Sequence, residues 1–440
     1  MSEPGSPVDE VVRICRDLIR IDTTNYGDGS GPGERAAADY VVGQLREVGL
    51  EPTVVESDPG RTSVVVRLEG EDRDRPALCI HGHLDVVPAN AADWQVDPFS
   101  AELRDGCVWG RGAVDMKDMD AMVLANIRHL ARTGAKPPRD VVFAFFADEE
   151  AGGTKGSHWV VDHRPELFEG VTEAVSEVGG YSVTVPRAGG EPTRAYLVQT
   201  AEKGILWLRL TAHGRAGHGS QVNEENAVAR LAEAITRISS HKWPREYLAS
   251  VRALLDGLAE VTGTSWSDED LEDLLEHLGS AQGFVRGTLQ DTANFTMAQA
   301  GYKHNVIPQS ASAALDCRFL PGHDDELLAT IEELAGEHVE VEVVHRDISL
   351  DAPFEGPLVE AMKAALLAED PGAEILPYCL SGGTDNKALS KLGITGYGFA
   401  PLQLPAGLDF APMFHGIDER VPVSALEFGT RVLQRFIATC

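Results

Sequence analysis

Two adjacent carboxylates, Glu149 and Glu150, close an apolar run that reads VVFAFFAD. Like charges side by side repel, so a neighbouring cation or a raised pKa is the natural remedy. His83 and Asp85 lie in HGHLDVVP, Asp115 in WGRGAVDMKD, Glu177 in VSEVGG and His415 in MFHGIDERV. A neutral imidazole is a good ligand for a borderline metal, and a nearby carboxylate fixes its tautomer and raises its basicity. A carboxylate such as Asp115 carries two oxygens that can bridge two cations. Each segment also has an ordinary structural account. H-x-D fits a surface turn, Asp115 fits a helix N-cap, and the glutamate pair fits a solvated acidic turn. Taken jointly, these two histidines and four of the acids stand at the rims of successive strands. Two divalent ions ~3.5–4 Å apart need such a mixed nitrogen and oxygen ligand set.

The elements that must position these residues read as an α/β protein. A strand as apolar as Val141 to Ala147 is expected to be buried on both faces, as in a parallel sheet. Strands are predicted near Thr62–Leu68, Ala77–Ile80 and Ala174–Ser176, with a helix from about Asp115 to Thr133. Chemistry in open α/β sheets gathers at the carboxyl ends of such strands. Ser6 is expected to cap a first helix, with Pro7 at its first position and Asp9 completing a capping-box spacing. A second helix, Glu34 to Val48, should end at Gly49. The loop before it is glycine-rich but has neither a G-x-G-x-x-G nor a Walker lysine.

From about Lys203 the pattern changes to βαββαβ: Ile205–His213, Ala227–Ile238, Asn294–Ala300, Ala311–Phe319, Glu326–Leu334 and Val339–Val344. This predicts a small sandwich with an open sheet face. A helical, acidic stretch, Trp243–Asp291, interrupts it, and α/β alternation resumes after about Asp351. The expected organisation is therefore 1–202 as the first part of a larger, mostly parallel α/β/α catalytic domain. Residues 203–347 form an inserted lid or dimerisation domain carrying the 243–291 insertion, and 348–440 complete the catalytic domain.

With 440 residues, 24% of them charged and 43% hydrophobic, the chain fits a two-domain soluble enzyme rather than a disordered one. A net charge of −31 argues against nucleic acid or an anionic membrane as a partner. The six cysteines form no C-x-x-C pair, and several lie in apolar runs, so buried free thiols are expected. The polar, acidic start and the absence of a ~20-residue apolar run point to the cytoplasm.

These segments, in this order, resemble the signatures of one peptidase family. GHLDVVP with a following W…DPF, then GRGAVDMK, ADEEAGG and SEVGG, look like motifs shared by several of its enzymes. They include aminoacylase, carboxypeptidase G, succinyl-diaminopimelate desuccinylase, acetylornithine deacetylase and the carnosinase-like dipeptidases. The resemblance covers essentially the whole chain and is nearest to the aminoacylase branch. SGGTDNKALSKLGITGYGFAPL is similar to that branch's late Gly-Thr-Asp-Asn loop, and HGIDER to its final metal-histidine segment.

Position by position, the resemblance implies that Asp115 bridges two zinc ions, for which cobalt or manganese could substitute. His83 and Glu177 would complete one ion, Glu150 and His415 the other, and Asp85 would orient His83. Glu149 would be the general base and acid. His218, in GRAGHGS, resembles a lid histidine that stabilises the oxyanion. Asn305 and Arg318 resemble residues that hold a substrate's free carboxylate, and guanidinium suits that task because it binds carboxylate bidentately. The backbone of Gly383 and Thr384 would assist. The chain departs from the family at Asp118, where glycine is usual, and at Val178, which splits a Glu-Gly-Gly run. His81 offers a second imidazole, and the 243–291 insertion exceeds what a minimal lid needs.

The reading is a metallohydrolase that cleaves an amide bond next to a free carboxylate, in an N-acyl amino acid or short peptide, with a possible homodimer through the lid. Metal-activated water would attack the carbonyl, Glu149 passing its proton to the leaving amine. A dipeptidase or carboxypeptidase is the alternative within the class. A non-catalytic binding protein of the same fold should have lost ligands or the base, and all are present.

Overall fold

The computed structural model describes residues 6–440. The apolar run Val141–Phe146 forms a strand in which every residue is buried, inside a ten-stranded sheet. It pairs in parallel with Ala77–His83 and antiparallel with Arg61–Leu68. Ala77–His83 is parallel to Val171–Ser176, which is parallel to Thr395–Gly398. Around this centre the margins are antiparallel, with Thr53–Asp58 outside Arg61–Leu68 and Tyr181–Val185 beside Thr193–Glu202. Glu374–Leu380 returns to the parallel sense against Thr193–Glu202. The expected α/β fold with a large, mostly parallel sheet is what the chain adopts.

The two-residue period of a strand explains why these segments are apolar throughout. Leu78, Ile80, Val141, Phe143 and Phe145 face one core, packed with helices Val8–Ile19, Arg35–Arg46, Lys117–Thr133 and Val423–Thr439. Cys79, Val142, Ala144 and Phe146 face a second core with Val160, Val161, Phe168, Ala388 and Leu389. Both faces are covered, so neither can be polar.

The chain leaves the large sheet at Lys203 and returns between Asp347 and Leu350. Between them lies a four-stranded antiparallel sheet in the order Thr292–Ala300, Ser310–Phe319, Gly204–His213, Val339–Asp347. Its strand Gly204–His213 alternates strictly. Leu206, Leu208, Leu210 and Ala212 pack on helices Ala227–Ser240 and Asp324–Ala335 in an apolar cluster of their own, and the other face stays open.

The 243–291 stretch interrupts this smaller unit in sequence but packs on the larger one in space. Val251, Leu254, Leu255 and Leu258 of helix Ala249–Thr262 are fully buried in the larger core, against the strand Glu374–Leu380. Each such side chain contributes about 1.5–3 kcal/mol, against at most ~1 kcal/mol for a surface ion pair, so this face anchors the insertion. A Cβ on Gly257 would lie 2.4 Å from Leu376 Cδ2, which only glycine avoids.

Several local expectations shift. The cap of the first helix is Pro7 rather than Ser6, with helical backbone already at Pro7, and the Asp9 N–H donates to the Ser6 carbonyl at 3.0 Å. The third helix begins at Lys117, not Asp115. All six cysteines are free, five of them buried and Cys107 partly so. Among the described residues, no helix is long and apolar enough to cross a membrane.

Candidate active site

His83 ends its strand at the carboxyl rim of the parallel sheet, and the chain turns immediately into Asp85. Asp85 is fully buried. It accepts from the backbone N–H of Glu149 and of Glu150, each at 3.1 Å, and from Asn25 Nδ2 at 2.9 Å. His83 Nδ1 donates to the Asp85 backbone carbonyl at 3.0 Å, with Asp85 Oδ1 3.5 Å away. One residue thus ties the imidazole to the glutamate pair. Asn25 also donates to Asp148 at 3.1 Å and accepts from Arg61 at 3.0 Å, while Arg61 pairs with the buried Glu34. This network sits behind the site. Asn25, Arg61 and Glu34 carry no motif of their own, and sequence reasoning missed them.

Asp115 precedes its helix but is not its N-cap, which is Met116. Its loop is held from the far end of the chain. Glu419 is fully buried and accepts from the N–H of Gly112 at 3.1 Å, Val114 at 2.6 Å and Asp115 at 3.0 Å. Arg111 adds a bond at 2.8 Å. Burial pushes the Glu419 carboxyl up to about 7, against the pull of Arg111. Glu419 lies in HGIDER, so the motif that carries His415 also builds the Asp115 loop.

The expected ligands converge. Asp115 Oδ1 lies 3.2 Å from His83 Nε2, and its Oδ2 lies 3.3 Å from His415 Nε2. Glu177 is 3.4 Å from His83, and Glu150 is 3.1 Å from His415. Each histidine therefore has its own second carboxylate, with Asp115 between them. Two groups have ligand atoms within 4.8 Å of one another: His83–Asp115–Glu150 and His83–Glu149–Glu177. Glu149 thus approaches the cluster as well, with its Oε2 at 4.0 Å from His83. His81 lies one pleat deeper on the same face. Its Nε2 is bonded to Asn386 at 2.9 Å, so it is no competitor at the rim, and burial lowers its pKa to about 4.

The electrostatics call for cations. Burial raises the pKa of Glu149, with Glu177 adding to it, and also raises that of Glu150, with Asp115 adding. Burial carries Glu177 up to about 8 even against His83. Burial would raise Asp115 too, but His415 and His83 hold it well below the ordinary range. Hydrogen bonds to Asp115 and Glu150 lift His415 to about 10. Without metal, such a cluster limits its charge by taking up protons, which bound cations displace. Glu150 Oε1 is buried with no hydrogen-bond partner. That orphan oxygen and the nitrogen–oxygen donor set fit a dinuclear site of two divalent ions.

A cavity of about 360 Å³ opens over the cluster, between the two sheets. Arg318, Gly383 and Thr384 line it, as do Phe284 from the insertion and Phe414 beside His415. Two of these residues already have protein partners. Arg318 is engaged by Asp316, with its Nε at 2.6 Å and Nη2 at 3.0 Å. Thr384 gives its N–H and its hydroxyl to the buried Glu202, at 3.0 and 2.6 Å. Its backbone donor is thus taken, because Glu202 itself must be satisfied.

His218 and Asn305 are not among the residues lining this cavity. Both are exposed; His218 is in a two-stranded ribbon, Gly217–His218 against Val306–Ile307, and Asn305 stands next to it, where its carbonyl accepts from the N–H of Gly219 at 3.0 Å. Strand pairing holds the two residues next to each other.

The sequence profile of Peptidase family M20/M25/M40 matches residues 79–439. The N-fatty-acyl-amino acid synthase/hydrolase PM20D1 of Xenopus tropicalis is 27% identical over 437 residues, covering 95% of this chain and 83% of that protein. Human aminoacylase-1 is 26% identical over 432 residues, covering 97% and 94%. Among solved structures, the M20 metallo-carboxypeptidase Sso-CP2 of Sulfolobus solfataricus superposes with a TM-score of 0.74 at 17% identity, over 98% of this chain and 99% of that one. Human carnosine dipeptidase 1 gives 0.70 at 16% identity, over 98% and 96%. With the whole His and carboxylate cluster inside the matched span, the chain belongs to peptidase family M20/M25/M40 and is a hydrolase of that family.

Proposed function

We propose that the protein hydrolyses the amide bond of N-acyl amino acids at a centre of two zinc ions. The observation that carries this reading is Asp115, whose two oxygens each face a different histidine at 3.2 and 3.3 Å. In it, His83 and Glu177 complete one ion, Glu150 and His415 the other, and cobalt or manganese can replace zinc. When bound, the ions supply a Lewis acid and a water of lowered pKa.

The chain's own residues do the rest. Glu149 takes a proton from water and returns it to the leaving amine. Its side chain is 17% exposed, whereas that of Glu150 is 4% exposed, which suits a shuttle beside a fixed ligand. Asp85 keeps Nδ1 of His83 as the donor and holds both glutamate backbones, so a proton on Glu149 moves without loosening the ligands.

Two observations favour an acyl group over the α-ammonium of a dipeptide. Phe284 and Phe414 meet edge to face at 5.7 Å in the cavity wall, giving an apolar surface. Of the relatives named above, the Xenopus tropicalis protein is an N-fatty-acyl-amino acid synthase/hydrolase and the human one an aminoacylase. His218 serves the oxyanion from the lid of a second copy, because it lies outside the cavity of its own chain.

The test is a panel of N-acetyl amino acids, longer N-acyl amino acids, dipeptides and C-terminally extended peptides, assayed with zinc, cobalt and manganese. Hydrolysis of the N-acyl amino acids, with dipeptides at least tenfold slower, is expected. Faster cleavage of dipeptides would turn the assignment to a dipeptidase. No hydrolysis with any metal would remove the catalytic reading.

A further inference from the structure

We propose that the substrate's acyl group is a long linear chain, which leaves the metal cavity beside Glu177 and ends in a second cavity under the insertion. This rests on the N-acyl amino acid reading above and deepens it by naming the acyl class.

The second cavity, of about 240 Å³, lies between the strand Tyr181–Val185, residues 278–281 of the insertion and the segment 404–411. A neck of about 10 Å³ separates it from the cavity over the metal cluster. The neck shares Glu177, Val178 and Phe414 with the metal cavity, and Tyr181 and Phe410 with the second one. The three spaces therefore adjoin in a row. Aromatic rings follow the same row edge to edge. Phe284 meets Phe414 at 5.7 Å, Phe414 meets Phe410 at 5.4 Å, and Phe410 meets Tyr181 at 5.3 Å.

The walls select an apolar occupant. Val114, Met116, Met119 and Leu402 make up much of the rest of the neck. Asp118 also lines it, and burial pushes that carboxyl well above its ordinary value, towards the neutral form an apolar wall tolerates. Arg318 and Lys387 line the metal cavity but neither the neck nor the second cavity. The charged end of an N-acyl amino acid thus has its cations in the metal cavity, and its apolar end has the neck. As it stands the neck has room for about one water, so an acetyl group stops short of it. A longer chain enters by displacing Met119, whose unbranched thioether adapts its shape readily. Beyond the neck, Leu278, Ala281, Leu404 and Leu408 receive the chain end.

The experiment measures kcat/KM for N-acyl-methionines from acetyl to palmitoyl, with zinc-loaded wild type, Ala400→Phe, Ser280→Trp and Met119→Ala. Each value is divided by that of the acetyl substrate with the same protein, so that a general loss of activity cancels. Ala400 lines the neck and Ser280 the second cavity. Wild type should gain up to about fourfold per methylene once the chain reaches the neck. Ala400→Phe should end that gain at short chains and Ser280→Trp only at longer ones, while Met119→Ala should raise the medium chains. A wild-type profile that is flat or falls beyond acetyl overturns the proposal and leaves the N-acyl amino acid reading standing. A cutoff at the same length in wild type and both filled variants also overturns it. Should one filled variant fail to fold, the cutoff of the other against wild type decides. If wild type cleaves none of the series, the hydrolase reading fails, and calorimetric titration with laurate decides on the channel. Binding that Ala400→Phe weakens at least tenfold supports it, and absent or equal binding overturns it.

Discussion

Asp85 and His218 are expected to serve one reaction, yet they sit in opposite surroundings. Asp85 is wholly buried and accepts from Asn25, Glu149 and Glu150 while it faces His83. His218 is exposed on a two-residue strand, its ring bonded to neighbouring Ser220 at 2.8 Å. The floor of the site is thus assembled before any substrate arrives, as electrostatic preorganisation requires. The lid's contribution has to be delivered, by closure or by another subunit. Metal affinity should therefore depend on the floor alone, and turnover on both.

The largest effect should come from the pair at the floor's edge. Glu149→Ala is expected to lower kcat by about 10²–10⁴-fold while metal analysis still finds two ions per chain; Glu150→Ala should lose an ion as well. If Glu149→Ala also loses metal, Glu149 belongs to the ligand set, as its approach to His83 and Glu177 allows.

His218→Ala should cost about 10²–10³-fold in kcat with metal content unchanged. Mixing it with Glu149→Ala protein should restore part of the activity, since each chain would complete the other's site. No recovery after verified subunit exchange would assign His218 to its own chain after closure. Smaller again, Asp85→Asn should weaken metal binding by ~10–100-fold, read by chelator competition. An unchanged affinity would show that the Asp85 backbone carbonyl, which accepts from His83 Nδ1 at 3.0 Å, orients the ring without the carboxylate.

The smallest effect tests the insertion rather than the site. Lys203 is buried and donates to the carbonyls of Gly287 and Gln290 at 2.8 and 2.7 Å, which fastens the end of the insertion. Lys203→Met should cost about 1–3 kcal/mol in urea unfolding and expose 243–291 to proteolysis. Burial lowers this ammonium to about 8, below the ordinary lysine value. Above pH 8 the folded chain sheds this proton while the unfolded chain keeps it until ~10.4. Wild-type stability should therefore rise relative to the variant across that window, and a constant difference would refute the assignment.

Chemistry at the strand rims was legible in the chain itself. The ligand types depend on a few residues in short motifs, and the sheet that carries them depends on apolar runs that leave no other face to choose. His83, Asp85, Glu149, Glu150 and Glu177 stand beside such runs, whereas Asp115 and His415 lie in loops and are named through the motifs that resemble the peptidase family. What tertiary structure alone decided is which groups are already spoken for. Glu419 grips the Asp115 loop from 304 residues away in sequence. Glu202 takes the Thr384 N–H, Asp316 occupies an edge of Arg318, and Lys387 is left buried with one backbone partner. The insertion interrupts the lid in sequence but packs on the catalytic core, where it adds Phe284 to the cavity wall. Hydrogen-bond saturation and burial depend on residues far apart in the chain, so no local spacing encodes them.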